Sequence, residues 1–417
     1  MRIDADALVI GAGPAGSAAA IWLAQAGWRV TLVEQHAFPR QKVCGECISA
    51  GNLALLDELG IGAAFRRLAG PELDRVGWMS RAATVSAPFP PCAADVYRYG
   101  RALGRDQLDL LLLERARASG VDIRQPARVR AVRGPPGRFD CDIEARGSAA
   151  PRRGARHSTI RARLVIDAHG SWEPEPQLGG DAKPVRRPHR GSDLFAFKAS
   201  FRNSTLTPGL LPVLALDGGY GGIVVAEGGR TTLACCIRRD TLRAHRARMP
   251  GAAAGDVVSD YLFDSCRGLR EVLGSARRDG SWLTVGPLQP GMRVAAHDGV
   301  FRVGNAAGET HPLIGEGISM ALQSAGLLAG HLTRQPAASI DAARAAMLTR
   351  HYAAAWQEAF APRLRLAAGY AHLAMRPALA APARALLARW PGLMTHSARM
   401  AGKARRSVVQ YPIGATP

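Results

Sequence analysis

Lysine is almost missing from this chain. Lys42, Lys183, Lys198 and Lys403 are its four lysines, although the formal net charge is +20 over 417 residues. Nearly all of the positive charge is therefore arginine, in a sequence also crowded with alanine and glycine. That pattern reads as compositional bias more than as a built basic patch, the alternative being an acidic partner such as anionic lipid or a phosphorylated substrate. No arginine run interleaved with aromatics is present, which argues against nucleic acid. Cysteine is sparse too. The seven cysteines are an odd number, scattered along the chain, with Cys235 and Cys236 adjacent; this excludes a secreted disulfide framework. No uninterrupted apolar run reaches the ~20 residues of a membrane-spanning helix. The N-terminus runs almost directly into a strand, leaving no room for a signal peptide, so a cytoplasmic protein is expected. With 47% hydrophobic residues the chain is globular and long enough for two or three domains.

What is present begins at once. In ADALVIGAGPAGSAAAIWLAQAGWRVTLVEQ, Ala7 to Ile10 is an apolar run suited to a buried parallel strand. It feeds Gly11-Ala12-Gly13-Pro14-Ala15-Gly16, a G-x-G-x-x-G, then a helix from Ser17 to Ala26 stopped by Gly27, and a second strand, Arg29 to Val33, ending in Glu34 and Gln35. Gly11 permits the tight turn, Gly13 lets backbone approach a pyrophosphate, and Gly16 lets helix pack on strand. The helix N-terminus then offers free N–H groups to phosphates. Glu34, about 20 residues on, is placed to accept hydrogen bonds from ribose hydroxyls. The order strand, turn, helix, strand, acid indicates dinucleotide binding.

A second glycine-rich segment, GVFRVGNAAGETHPLIGEGISMALQSAGLLAGHL (299–332), repeats the theme. Phe301 to Val303 lead into Gly304-Asn305. After Pro312, Gly315 and Gly317 open a helix with Ile318 on its apolar face. A second helix N-terminus beside a polar turn is a second dipole site. An extended FAD needs one; a nicotinamide dinucleotide rarely does so far along the chain.

Over roughly residues 5–335 the chain resembles the flavoprotein family that holds the class A monooxygenases, the geranylgeranyl reductases and the flavin-dependent halogenases. The resemblance implies an α/β fold: a Rossmann-like FAD-binding domain of the glutathione-reductase type, residues 1–180 and 291–335. A β-rich substrate domain, residues 181–290, is inserted, and a helical C-terminal region, residues 336–417, follows. In the family, Gly304-Asn305-Ala306-Ala307 matches a G-D-A-A turn whose acid binds the ribityl chain. Asn305 stands here instead, and an amide still bonds a hydroxyl. GRDQLDLLLLERARASG (104–120) resembles the segment whose arginine, here Arg105, reaches the cofactor. ARLVIDAHGS (162–171) resembles the turn with an Asp–Gly pair near the flavin, interrupted here as Asp167-Ala168-His169-Gly170. Val129 matches a residue whose backbone meets the adenine.

In KVCGECIS (42–49), Cys44 and Cys47 stand in C-x-x-C spacing. A zinc site lacks a second ligand pair, so no metal is expected. Cys44-Gly45-Glu46 matches the C-G-E that lies beside flavin and substrate in the geranylgeranyl reductase branch. Three readings of Cys44 stay open: lining the flavin site, half of a redox dithiol, or inert packing. Ser49 reads as the cap of a helix running to Leu59, which puts Cys47 just before a helix start.

Residues 190–290 read as strands, LFAFKASF, GGIVVAE and TTLACCI among them, with turns at 217–219 and 228–229. In the family such a sheet roofs the substrate chamber, and Phe195, Phe197, Tyr220 and Trp282 are candidates for its walls. The tail reads as helical, basic and amphipathic, interrupted at Pro362, Pro377 and Pro391. It is expected to lie on an anionic membrane surface, or to pack on the domain or on another subunit.

The resemblance implies an FAD-dependent oxidoreductase. The first expectation is a monooxygenase that hydroxylates an apolar aromatic or polyketide-like molecule through a C4a-(hydro)peroxyflavin, with His311 as acid–base group. The alternative is a reductase of prenyl or polyprenyl double bonds, favoured by the C-G-E segment, with Cys44 given a catalytic part. A halogenase comes third: no G-W-x-W-x-I-P segment exists, and Trp22, Trp28, Trp78, Trp172, Trp282, Trp356 and Trp390 are all isolated. Nothing after residue 335 resembles an NAD(P)H domain, so NAD(P)H binds transiently or a partner reductase delivers electrons.

Overall fold

The computed structural model describes residues 2–400 apart from 82–83, 93–95, 147–156, 172–175, 179–187, 295–298, 377–381, 383–384 and 388. Trp172, Lys183, Pro377 and Lys403 lie outside the described residues.

Ala5–Ile10 is buried along its whole length, between Val30–Val33 and His157–Asp167, parallel to both. A strand covered on two faces must be apolar rather than alternating, which is what the run shows. The sheet has eight strands. In spatial order they are Gln177–Leu178, Ala127–Arg133, Phe139–Ala145, His157–Asp167, Ala5–Ile10, Val30–Val33 and Asp122–Arg124, with Phe301–Arg302 joining beside His157–Asp167. Helices Pro14–Gln25, Arg105–Ala118 and Gly317–Leu332 pack together over it through Trp22, Leu108, Leu112, Leu322 and Leu328. The late strand and late helix thus complete a layer that the first forty residues begin.

The second sheet has seven strands in the order Arg277–Val285, Leu194–Arg202, Thr231–Arg238, Gly219–Val225, Leu210–Leu216, Arg75–Met79 and Thr84–Pro88. The last two come from residues 75–88, inside the span 1–180 assigned above to the FAD-binding domain, and Arg75–Met79 pairs parallel with Leu210–Leu216. One face packs on helices Ala254–Ser265 and Arg267–Leu273 through Phe197, Leu214, Leu233, Tyr261 and Leu269. The opposite face carries Leu194, Ala196, Tyr220 and Cys236, which meet Leu288 and Ala371.

Two local expectations need correction. Ser49 does not cap a helix by its side chain. Its Oγ lies 3.2 Å from Ser319 Oγ and accepts from Asn52 Nδ2 at 2.8 Å, while Cys47–Ile48 is a short strand paired with Arg101–Ala102. Cys47 therefore sits in a ladder, two residues before Ser49, which stands at the N-cap position of the helical turn Ala50–Asn52 that leads into Leu53–Glu58. Pro362 does not interrupt the tail either: one helix runs Ala342–Ala374, capped by Asp341, which accepts from Arg344 N at 2.8 Å. An interior proline costs about 3 kcal/mol, but this helix buries Tyr352, Trp356, Phe360, Leu364 and Ala371, a larger opposing sum.

Candidate active site

The glycine turn is shaped by backbone contacts that leave no room for side chains. Gly11 has φ +98°, and a Cβ there would lie 2.6 Å from Ala168 O. A Cβ at Gly16 would lie 1.9 Å from Gly11 O, so the helix can start against the turn only with glycine. A Cβ at Gly13 would meet nothing nearer than Arg105 Nη2 at 3.7 Å, so the backbone at Gly13 is open on the side where a pyrophosphate must approach.

Glu34 has a role that sequence spacing alone does not show. It is buried, and its carboxylate accepts from Ala12 N at 2.9 Å and His36 N at 2.9 Å. It braces the glycine turn as well as standing at the end of the strand where a ribose is expected. Its carbonyl accepts from Ala127 N at 2.7 Å, which brings Val129 and Gln35 to the same end of the sheet.

A second helix N-terminus faces the first across one cavity of about 810 Å³. Gly13, Pro14 and Ala15 line it from one helix, Pro312, Gly315, Gly317 and Ile318 from the other, with Gly304 and Asn305 between. A Cβ at Gly317 would meet nothing within 4 Å, so this terminus is open too. Asn305 donates from Nδ2 to Ser171 Oγ at 2.7 Å, and its carbonyl accepts from Arg293 at 2.6 Å. Asp167 is fully buried beneath. Its Oδ1 accepts from His169 N at 3.1 Å and pairs with His169 Nδ1 at 2.6 Å, and its Oδ2 has no hydrogen-bond partner among the described residues. Two open N-terminal ends, an open glycine and a polar amide in one cleft fit an extended FAD.

The C-G-E turn is the other wall. Cys44, Gly45, Glu46 and Arg105 all line the cavity. Arg105 is buried and holds Asp109 by two bonds, 2.7 and 2.8 Å. Burial alone would lower its pKa; Asp109, helped by the neighbouring Cys44 thiol, takes it above the ordinary value. Cys44 Sγ accepts from Glu46 N at 3.3 Å, and Cys47 Sγ donates to Gly45 O at 3.3 Å, so the two thiols are engaged separately. Glu46 is fully buried in left-handed backbone, φ 62°. Its carboxylate bonds Lys198 Nζ, accepts from Thr232 Oγ1 at 2.6 Å, and accepts from Arg105 N at 3.1 Å. Beside it Glu227 accepts from Gly104 N at 2.8 Å. Two carboxylates from distant segments thus serve the N-terminus of helix Arg105–Ala118.

Lys198, Thr232 and Asp109 were not foreseen. One signal was available for Lys198: it is one of four lysines and stands inside the apolar run LFAFKASF.

Of the expected substrate walls, Tyr220 lines the cavity, whereas Phe195, Phe197 and Trp282 do not. Side chains alternate along a strand. Phe195 and Phe197 face the covering helices while Ala196 between them faces the cavity, and Trp282 packs with the same helices, donating to Ser259 Oγ at 3.2 Å. His311 also differs from expectation. It is not in the cavity wall but behind Tyr220, its Nδ1 3.2 Å from the Tyr220 hydroxyl. Burial lowers its pKa, so the ring is neutral. Burial likewise holds the Tyr220 phenol well above its ordinary value, with the Cys236 thiol beside its hydroxyl; the same burial pushes Cys236 up to about 12. The remaining walls are mostly aliphatic and aromatic: Trp78, Phe89, Leu211, Val213, Leu288, Leu313 and, from the tail, Tyr370, Leu373 and Met394. The cavity is therefore an apolar chamber with a protonated phenol, an arginine and two helix N-termini in its walls. Among the described residues no cluster of side chains suits a metal ion.

Residues 4–178 match the family described as FAD binding domain. The menaquinone reductase of Mycobacterium tuberculosis is 28% identical over 343 residues, covering 79% of this chain and 77% of that one. Among solved structures, the flavin-dependent halogenase CmlS superposes with a TM-score of 0.67 at 23% identity, covering 85% of this chain and 62% of that one. A geranylgeranyl bacteriochlorophyll reductase-like protein from Thermoplasma acidophilum superposes with a TM-score of 0.66 at 20% identity, covering 87% and 85%.

Proposed function

We propose that this chain, whose residues 4–178 match an FAD binding domain, is an FAD-dependent reductase of an apolar, lipid-like substrate carrying a prenyl or quinone group. The observation that carries this reading is the C-G-E turn set in the wall of an apolar chamber beside Arg105. The menaquinone reductase relative supports it. FAD held by the two helix N-termini, Gly13, Asn305 and Arg105 would supply a hydride equivalent. The chain itself excludes water from the chamber and supplies the proton that a double-bond reduction also requires. Tyr220 is the donor: its phenol stays protonated at neutral pH and faces the chamber. His311, neutral and half-buried behind it, relays the replacement proton: one ring nitrogen gives its proton to Tyr220 as the other takes one from solvent. Electrons come from NAD(P)H in transit or from a partner reductase.

The second reading is a monooxygenase, favoured by the same pair taken in reverse: neutral His311 can accept a phenolic proton through Tyr220. Oxygen separates the two. The flavin is reduced with dithionite under anaerobic conditions and mixed with a short-chain menaquinone or prenyl alcohol. Reoxidation without oxygen, with a product two hydrogens heavier, supports the reductase. A flavin that stays reduced until air is admitted, and then yields a product heavier by one oxygen, defeats it in favour of the monooxygenase.

A further inference from the structure

We propose that the rim of the cavity mouth, built by the C-terminal helices, docks on an anionic lipid bilayer so that the chamber opens into the membrane. Seven large hydrophobic side chains stand out as exposed among the described residues, and four of them, Leu373, Leu386, Trp390 and Leu393, fall within this short stretch of the tail. Leu373, Leu386 and Leu393 also line the cavity, at 51%, 47% and 37% exposure, so they form its lip. Trp390, 54% exposed and not a lining residue, faces outward.

The sequence of the tail that supplies this lip carries charge of one sign. After Glu358 the sequence has no acidic residue, while the remaining 59 residues carry eight arginines and one lysine. Arg376, Arg389 and Arg399 are exposed on either side of the apolar group, and the Arg389 guanidinium lies over the Trp390 ring at 5.6 Å from its centre. Leucine and tryptophan flanked by arginine are suited to the boundary between acyl chains and anionic headgroups. Compositional bias explains many arginines but not the loss of every acid over one segment. A second copy of the chain is a poor occupant, because each copy carries +20.

Docking rests on this surface and not on the reaction, so it is read without substrate. The full-length protein is floated with vesicles of phosphatidylcholine containing phosphatidylglycerol, and with phosphatidylcholine alone. Binding to the anionic vesicles that weakens with added salt is expected. Trp390→Glu and Leu386→Glu are each expected to weaken it roughly tenfold or more, whereas Leu68→Glu, an exposed leucine outside the cavity wall, leaves it unchanged. Equal flotation with both vesicle types, no flotation, or an equal loss with Leu68→Glu overturns the proposal. A dimer in sedimentation equilibrium that Trp390→Glu dissolves overturns it in favour of self-association.

Discussion

The Lys198 ammonium, from a strand of the second sheet, is bonded to the Glu46 carboxylate, from the C-G-E turn of the first domain, and both are buried. Because Glu46 also receives Thr232 Oγ1 and the N–H of Arg105, one carboxylate ties together the roof of the cavity, the turn in its wall and the helix that presents Arg105. Three segments that are far apart in sequence meet at a single acid.

Breaking this pair on one side will be costly. Lys198→Met leaves Glu46 buried with its countercharge gone, and removal of one partner of a buried pair costs about 3–5 kcal/mol. Urea unfolding of the FAD-bound protein measures it. Lys198→Met with Glu46→Gln, which removes both charges, is expected to recover most of the loss. A single variant as stable as the parent would show that the pair is not formed.

Gly16→Ala is expected to abolish FAD binding. The added methyl would sit 1.9 Å from Gly11 O, so either the turn or the helix start must move out of line. Absorbance of the purified protein near the flavin bands reads this directly. Gly27→Ala is the contrast for its effect on the cofactor: it lies at the far end of the same helix, with φ +80° and open space around it, so its cost is backbone strain, and FAD content should be retained.

Tyr220→Phe should keep the cofactor and lose turnover. The ring still fills its place, but no hydroxyl remains to give or pass a proton, an effect of roughly 10²–10⁴-fold on rate. His311→Gln is expected to act less severely and to change the pH profile of kcat, since it acts through Tyr220. An unchanged rate in Tyr220→Phe would remove the phenol from the mechanism.

Stability should fall on mild acidification. Burial holds His311 below its ordinary value of 6.5, and burial with Arg334 and His351 does the same for His331. Each takes its proton more readily when unfolded, so the unfolded state gains protons as pH drops below 6.5, and stability declines through that window. Above it the contribution is complete. Melting temperatures between about pH 7 and pH 5 should show the slope, reduced in His311→Gln; a flat profile contradicts it.

The sequence by itself determined the cofactor half of the site. The glycine turns, the helix starts and Glu34 lie within short continuous stretches whose geometry follows from local backbone rules: a missing Cβ at Gly11 and Gly16, free N–H groups at a helix start. Only the tertiary structure decided the substrate half. Which of Phe195, Ala196 and Phe197 faces the cavity depends on which side of the sheet the covering helices lie, and alternation alone cannot say. That Lys198 meets Glu46, that Tyr220 stands in front of His311, and that Leu386 and Leu393 form a lip at the cavity mouth depend on packing between segments separated by tens to hundreds of residues. Such contacts are set by burial and charge pairing in three dimensions, and they leave almost no local trace in the chain.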